Sequence, residues 1–212
     1  MILSEWVAVA VVGLAALGLG NKRLSPAIRT YGTQAFLLGA LVAVEGRQRG
    51  DAATLALGLA LVALKGIATP VYLQTVSRRL KVDREVEPVV NIPLSFLAAG
   101  ACVLAALRVA DEAAVVAGEA SVLLVAGLST LLIGLFTMAT RRKAITQALG
   151  LLTMENGAFL LSLALTGGLP LAVELAVLLD VLVLVMLVGI VVFRMRETFG
   201  HVDAGAMRTL GE

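Results

Sequence analysis

The sequence predicts an all-α polytopic membrane protein. Hydrophobic residues make up 59% of its 212 residues and charged residues only 15%. The mean hydropathy of +0.98 is far above that of a soluble domain of this length. Runs of about 20 apolar residues recur from end to end, which is the length a helix needs to cross a hydrocarbon core of roughly 30 Å. The two-residue alternation of a membrane barrel is missing.

Seven spans follow in order, at residues 2–20, 30–46, 53–76, 89–108, 118–140, 144–166 and 171–193. The first is mostly Ala, Val, Leu and Gly, like a secretory leader, but Glu5 and Trp6 stand where a leader would be basic, and Lys22 and Arg23 come after it. It is therefore expected to stay as a mature span. The second lies between the basic residues 22–29 and the pair Arg47 and Arg49. The third contains Lys65 and Pro70, the fourth Cys102, and the fifth ends at Arg141, Arg142 and Lys143. The sixth carries Glu155 within "LLTMENGAFLL", and the seventh, after Pro170, carries Glu174 and Asp180.

Lysine and arginine set the expected orientation. The loops after the first, third and fifth spans and the C-terminal tail hold Lys22, Arg23, Arg29, Arg78, Arg79, Lys81, Arg84, Arg141, Arg142, Lys143, Arg194, Arg196 and Arg208. The other side has Arg47, Arg49 and Arg108. By the positive-inside rule the N-terminus is outside and the C-terminus cytoplasmic in a bacterial or archaeal inner membrane, and an odd number of spans is needed. The net charge of +2 sits mostly in these inner loops, which points to anionic lipid or an acidic partner surface and not to nucleic acid.

Several kinds of chemistry are excluded. One cysteine, Cys102, and one histidine, His201, cannot assemble an iron–sulfur, haem or zinc ligand set or an internal disulfide. No phosphate-binding glycine pattern stands in a strand-to-helix context. The chain is expected to hold no cofactor and no metal, and not to be an enzyme by itself. Its 21 glycines sit mostly inside spans, where small residues let helices approach closely.

Ionisable residues at membrane depth remain. Lys65 lies about 12 residues, or roughly 18 Å, into the third span, too deep to reach water by snorkelling. Pro70 removes a backbone donor and frees the carbonyl of Gly66, so a broken helical turn is expected beside the lysine. Glu155 is near the midplane of the sixth span, with Ser162 on nearly the same face. Asp180 is about 14 residues, or 21 Å, before Arg194 and close to mid-depth. Glu174 follows Pro170 in the first turn, where a helix dipole alone accounts for a carboxylate. Isolated charges in hydrocarbon are costly, so these groups must pair or share water, and a set of one amine and several carboxylates is the material of a proton relay. The bland alternative is a structural ion pair locking two helices.

The stretches "RRKAITQALGLLTMENGAFLLSLAL" and "PLAVELAVLLDVLVLVMLVGIVVFRMRETF" resemble component E of hydrogenase-4 and related formate hydrogenlyase complexes, whose last three spans are similar to the K subunit of respiratory complex I. The resemblance covers the whole chain and is strongest from about residue 130, with "MENG" and "ELAVLLD" as its most specific pieces. It implies an N-terminal four-helix extension at 1–116, a K-subunit-like three-helix region at 117–196 and a cytoplasmic tail at 197–212. That tail is expected to be ordered only against neighbouring subunits.

The resemblance also implies a non-catalytic membrane-arm subunit. Its partners would be antiporter-like and other membrane subunits and, indirectly, a peripheral nickel–iron hydrogenase-like arm. Glu155 matches the glutamate of the K subunit's second helix. Glu174 matches that of the third helix in chemistry and Asp180 in depth, with depth favouring Asp180. Lys65 has no counterpart there and rests on the residue argument alone. Three other readings are a K-like subunit of a multisubunit cation/proton antiporter, a pure scaffold, and a retinal protein. The four extra spans argue against the first, and the depth of Lys65 in the third span together with 4% aromatics argues against the last.

Overall fold

The computed structural model describes residues 2–79, 90–117 and 121–166. Among these the chain forms α-helices α1 (Ile2–Gly20), α2 (Leu24–Arg49), α3 (Ala52–Leu61), α4 (Thr69–Arg79), α5 (Ile92–Ala117), α6 (Val122–Thr140) and α7 (Ala144–Thr166). A π-helical segment, Val62–Ala68, joins α3 to α4, so the two form one span. Among the described residues six helices are long and apolar enough to cross a membrane, and the protein is a multi-pass helical membrane protein. The seventh expected span and the tail lie outside the described residues, and Glu174 and Asp180 with them.

Two helices outrun their expected limits. α2 begins at Leu24, not 30, because Pro26 is tolerated in a first turn and the stem of Arg29 can lie along the helix toward the interface. α5 continues past Arg108 to Ala117, with Arg108, Asp111 and Glu112 exposed. These residues end the apolar run without ending the helix, since Arg and Glu are good helix formers. Hydrophobicity marks where a span leaves the membrane, whereas backbone propensity marks where it unwinds.

The α2–α3 turn is short and fully specified. Gly50 takes the left-handed conformation at φ 68°, and the amide of Asp51 donates to the carbonyl of Gly46 at 3.0 Å. Asp51 then caps α3, its carboxylate accepting from the amide of Ala53 at 3.0 Å and the hydroxyl of Thr54 at 2.5 Å. These bonds hold the Asp51 carboxyl below its ordinary range, the Thr54 hydroxyl contributing most.

Glycines at seven-residue spacing bring antiparallel helices into backbone contact. On α2, Gly46 faces Leu55, Gly39 faces Val62 and Gly32 faces Pro70. A β-carbon at Gly39 would lie 2.8 Å from the backbone nitrogen of Val62, leaving no room for a side chain. On α6 and α7, Gly127, Gly134, Gly150 and Gly157 form a second seam of the same kind, against Leu161, Met154, Met138 and Leu131. In lipid, where apolar burial does not drive helices together, such close approach supplies the dispersion contacts that do.

The first seam shows what the π segment does. From Gly39 to Gly32 on α2 is seven residues, while from Val62 to Pro70 opposite is eight. The extra residue is the one a π-bulge inserts. Pro70 cannot donate a backbone hydrogen bond, and the wider winding lets the Thr69 amide reach Leu64, whose carbonyl also accepts the Thr69 hydroxyl at 2.9 Å. The broken turn expected near Pro70 is thus a re-bonded π turn, and Lys65 lies within it.

The buried apolar residues form separate clusters. One apolar cluster unites Ala8, Val11, Leu38, Val42, Leu61, Ala126, Phe159 and Leu160 from α1, α2, α3, α6 and α7. A second, nearer the basic turns, unites Leu24, Ile28, Tyr31 and Ala35 with Leu73, Val76, Ile145 and Leu152 among others. Side chains such as Trp6, Leu97, Leu104 and Leu64 are exposed on the outer surface, as expected where lipid is the solvent.

Candidate functional site

Lys65 and Glu155 meet in the interior. The Lys65 ammonium lies 3.3 Å from a carboxylate oxygen of Glu155, and their side chains are 6% and 2% exposed. Lys65 comes from the π segment and Glu155 from the middle of α7. The sequence marks both as deep charges that must pair or share water. The structure brings the two together.

Asn156 lines a small cavity together with Lys65, and other polar side chains are buried in the same bundle. Asn156 and Gln34 are each 1% exposed, and Ser129 and Thr130 of α6 are completely buried. The Gln34 amide donates to the carbonyl of Val11 at 2.9 Å, tying α2 to α1. Its oxygen, the Asn156 amide nitrogen and the two α6 hydroxyls have no hydrogen-bond partner among the described residues. Buried polar atoms normally find one, so these mark positions suited to water. Ser162, expected to extend a polar stripe, is half-buried near the other end of α7.

By the positive-inside rule Arg141 is simply one more charge of an inner loop. In the structure it is 7% exposed, and its guanidinium donates to the carbonyl of Leu19 at 2.7 Å. A cation there satisfies a terminal carbonyl and complements the negative end of the α1 dipole. Gln34 is a second site residue, marked in the sequence as a glutamine inside an apolar run three residues from Tyr31. Among the described residues no group of three or more histidine, cysteine or carboxylate side chains is placed to hold a metal ion.

A multi-pass helical protein with a lysine–glutamate pair buried between its helices belongs to the broad class in which intramembrane charges are functional candidates. The chain is 32% identical to the uncharacterized protein Rv0085 of Mycobacterium tuberculosis over 211 residues, covering 99% of this chain and 96% of that protein. It belongs to the same family as that protein. No family model matches the chain, and no solved structure matches it significantly.

Proposed function

We propose that the protein is a non-catalytic membrane-arm subunit of a complex I-like, hydrogenase-4-type assembly, and that Lys65 and Glu155 form part of a buried proton path coupling redox chemistry elsewhere to ion translocation. The observation that carries this reading is the 3.3 Å pair itself, formed near the middle of two different spans. Neutralising either partner leaves a single charge in a low-dielectric interior, which is costly. Arrival of a proton at the Glu155 carboxylate and departure of one from the Lys65 ammonium are thereby linked in energy. A π turn beneath the lysine favours such a role, because π-bulges occur frequently at functional sites.

The reading is tested by Glu155→Gln, which keeps size and hydrogen bonding but cannot release a proton. Translocation per turnover, measured in vesicles holding the intact assembly, should fall while assembly persists. Full translocation by the variant would remove the relay. Loss of the assembly would favour the scaffold reading, in which the pair only locks two helices.

A further inference from the structure

A cleft opens between α1, α2, α6 and α7 on the side of the basic turns. It encloses about 40 Å³ and is lined by Asn21, Thr30, Tyr31, Gln34, Arg141 and Thr153 among others. With about 10–15 Å³ needed per water, that volume holds roughly three. A second, smaller cavity of about 10 Å³ lies deeper, bounded by Ala35, Leu38, Gly39, Leu61, Lys65, Asn156 and Phe159. It is the size of one water.

The linings of the two spaces follow one another along α2 and α7. On α7, Thr146, Leu149 and Thr153 line the cleft, and Asn156, one turn further along the same stripe, lines the cavity. On α2, Ala27, Tyr31 and Gln34 line the cleft, while Ala35 and Leu38 line the cavity. Each space also contains a buried polar side chain with an unsatisfied atom, the Gln34 oxygen in the first and the Asn156 amide nitrogen in the second. Toward the opposite face the arrangement differs. There a space of about 320 Å³ is bounded by Leu3, Ser4, Leu41, Val44, Glu45, Gln48, Leu123 and Leu163. The apolar layer of Ala8, Val11, Leu38, Val42, Leu61, Ala126, Phe159 and Leu160 lies between it and the ion pair.

We infer that the cleft and the small cavity form a one-sided hydrated access path from the face bearing Arg141 to the Lys65–Glu155 pair, with Gln34 and Asn156 holding its waters. The inference rests on the proton-relay reading for its purpose but not for its existence. Gln34 is a positioning residue. Its amide nitrogen is committed to the Val11 carbonyl, which fixes the side chain and leaves its oxygen to accept from water. Thr153 donates to the carbonyl of Leu149 at 2.8 Å, so its hydroxyl oxygen remains available to accept from water in the cleft.

The path is tested by pulsed hydroxyl-radical labelling of the full chain in lipid nanodiscs, where radicals form from water and mark side chains in contact with it. Tyr31 is only 2% exposed yet lines the cleft, so it should be labelled, whereas a dry cleft leaves it inert. Gln34→Leu should abolish the labelling. Thr153→Val, which preserves volume, should reduce it if Gln34→Leu perturbs folding. An unlabelled Tyr31, or labelling unchanged in both variants, overturns the path. Because the readout is water contact, its failure is distinct from that of the relay, which Glu155→Gln decides through translocation.

Discussion

Lys65 on the π segment and Glu155 on α7 form an ion pair that joins the α2–α3–α4 half of the described structure to the α6–α7 hairpin. Each charge is tolerable at that depth because of the other. Lys65→Met should therefore destabilise the protein by roughly 3–5 kcal/mol, because it leaves the Glu155 carboxylate buried without its counter-charge. The double variant Lys65→Met with Glu155→Gln removes both charges and should recover most of the loss. Unfolding in mixed micelles measures the cycle, and simple additivity of the two single losses would show that the pair is not energetically coupled.

The glycine seams predict a contrast between positions of the same residue type. A β-carbon at Gly39 would meet the backbone of Val62, whereas one at Gly100 would meet nothing within 4 Å. Gly39→Ala must push α2 from α3 and should cost about 1–3 kcal/mol. Gly100→Ala lies in open space on α5 and should be neutral or stabilising by up to about 1 kcal/mol through helix propensity. Melting temperatures of the two variants in the same detergent check this, and equal shifts would refute the packing argument.

Hydrophobic length made the helical class and the six described spans legible, because a span's minimum length is set by the bilayer and not by its neighbours. Deep charge made Lys65 and Glu155 legible for the same reason, since a charge in hydrocarbon needs an explanation wherever it occurs. Pro70 announced a disturbed turn but not its form. Whether a proline kinks a helix or is absorbed by a π turn depends on what packs opposite, here Gly32, and on the Thr69 hydroxyl that reaches the Leu64 carbonyl. The role of Gln34 depends on α1 and α2 being adjacent, which is a tertiary fact. Burial of Arg141 was hidden similarly, because the positive-inside rule treats every basic loop residue as equivalent.

Arg141 provides a test of that last point. Its neighbours Arg142 and Lys143 also belong to the α6–α7 turn, but the structure turns Arg141 inward to the Leu19 carbonyl at 2.7 Å. Its own carbonyl accepts from the Gln147 amide at 2.9 Å, which fixes the turn on the other side. Arg141→Gln should cost about 1.5–3 kcal/mol, the range for a hydrogen bond from a charged group. Arg142→Gln, at an exposed position, should stay within about 0.5 kcal/mol of the parent. Arg141→Lys keeps the charge but loses the planar, multi-donor fork, so it should recover only part of the loss. Because Arg141 also lines the cleft, Arg141→Gln should alter hydroxyl-radical labelling at Tyr31, while Arg142→Gln should not. Equal effects of the two glutamine variants on stability and labelling would show that the basic turn acts only through its net charge.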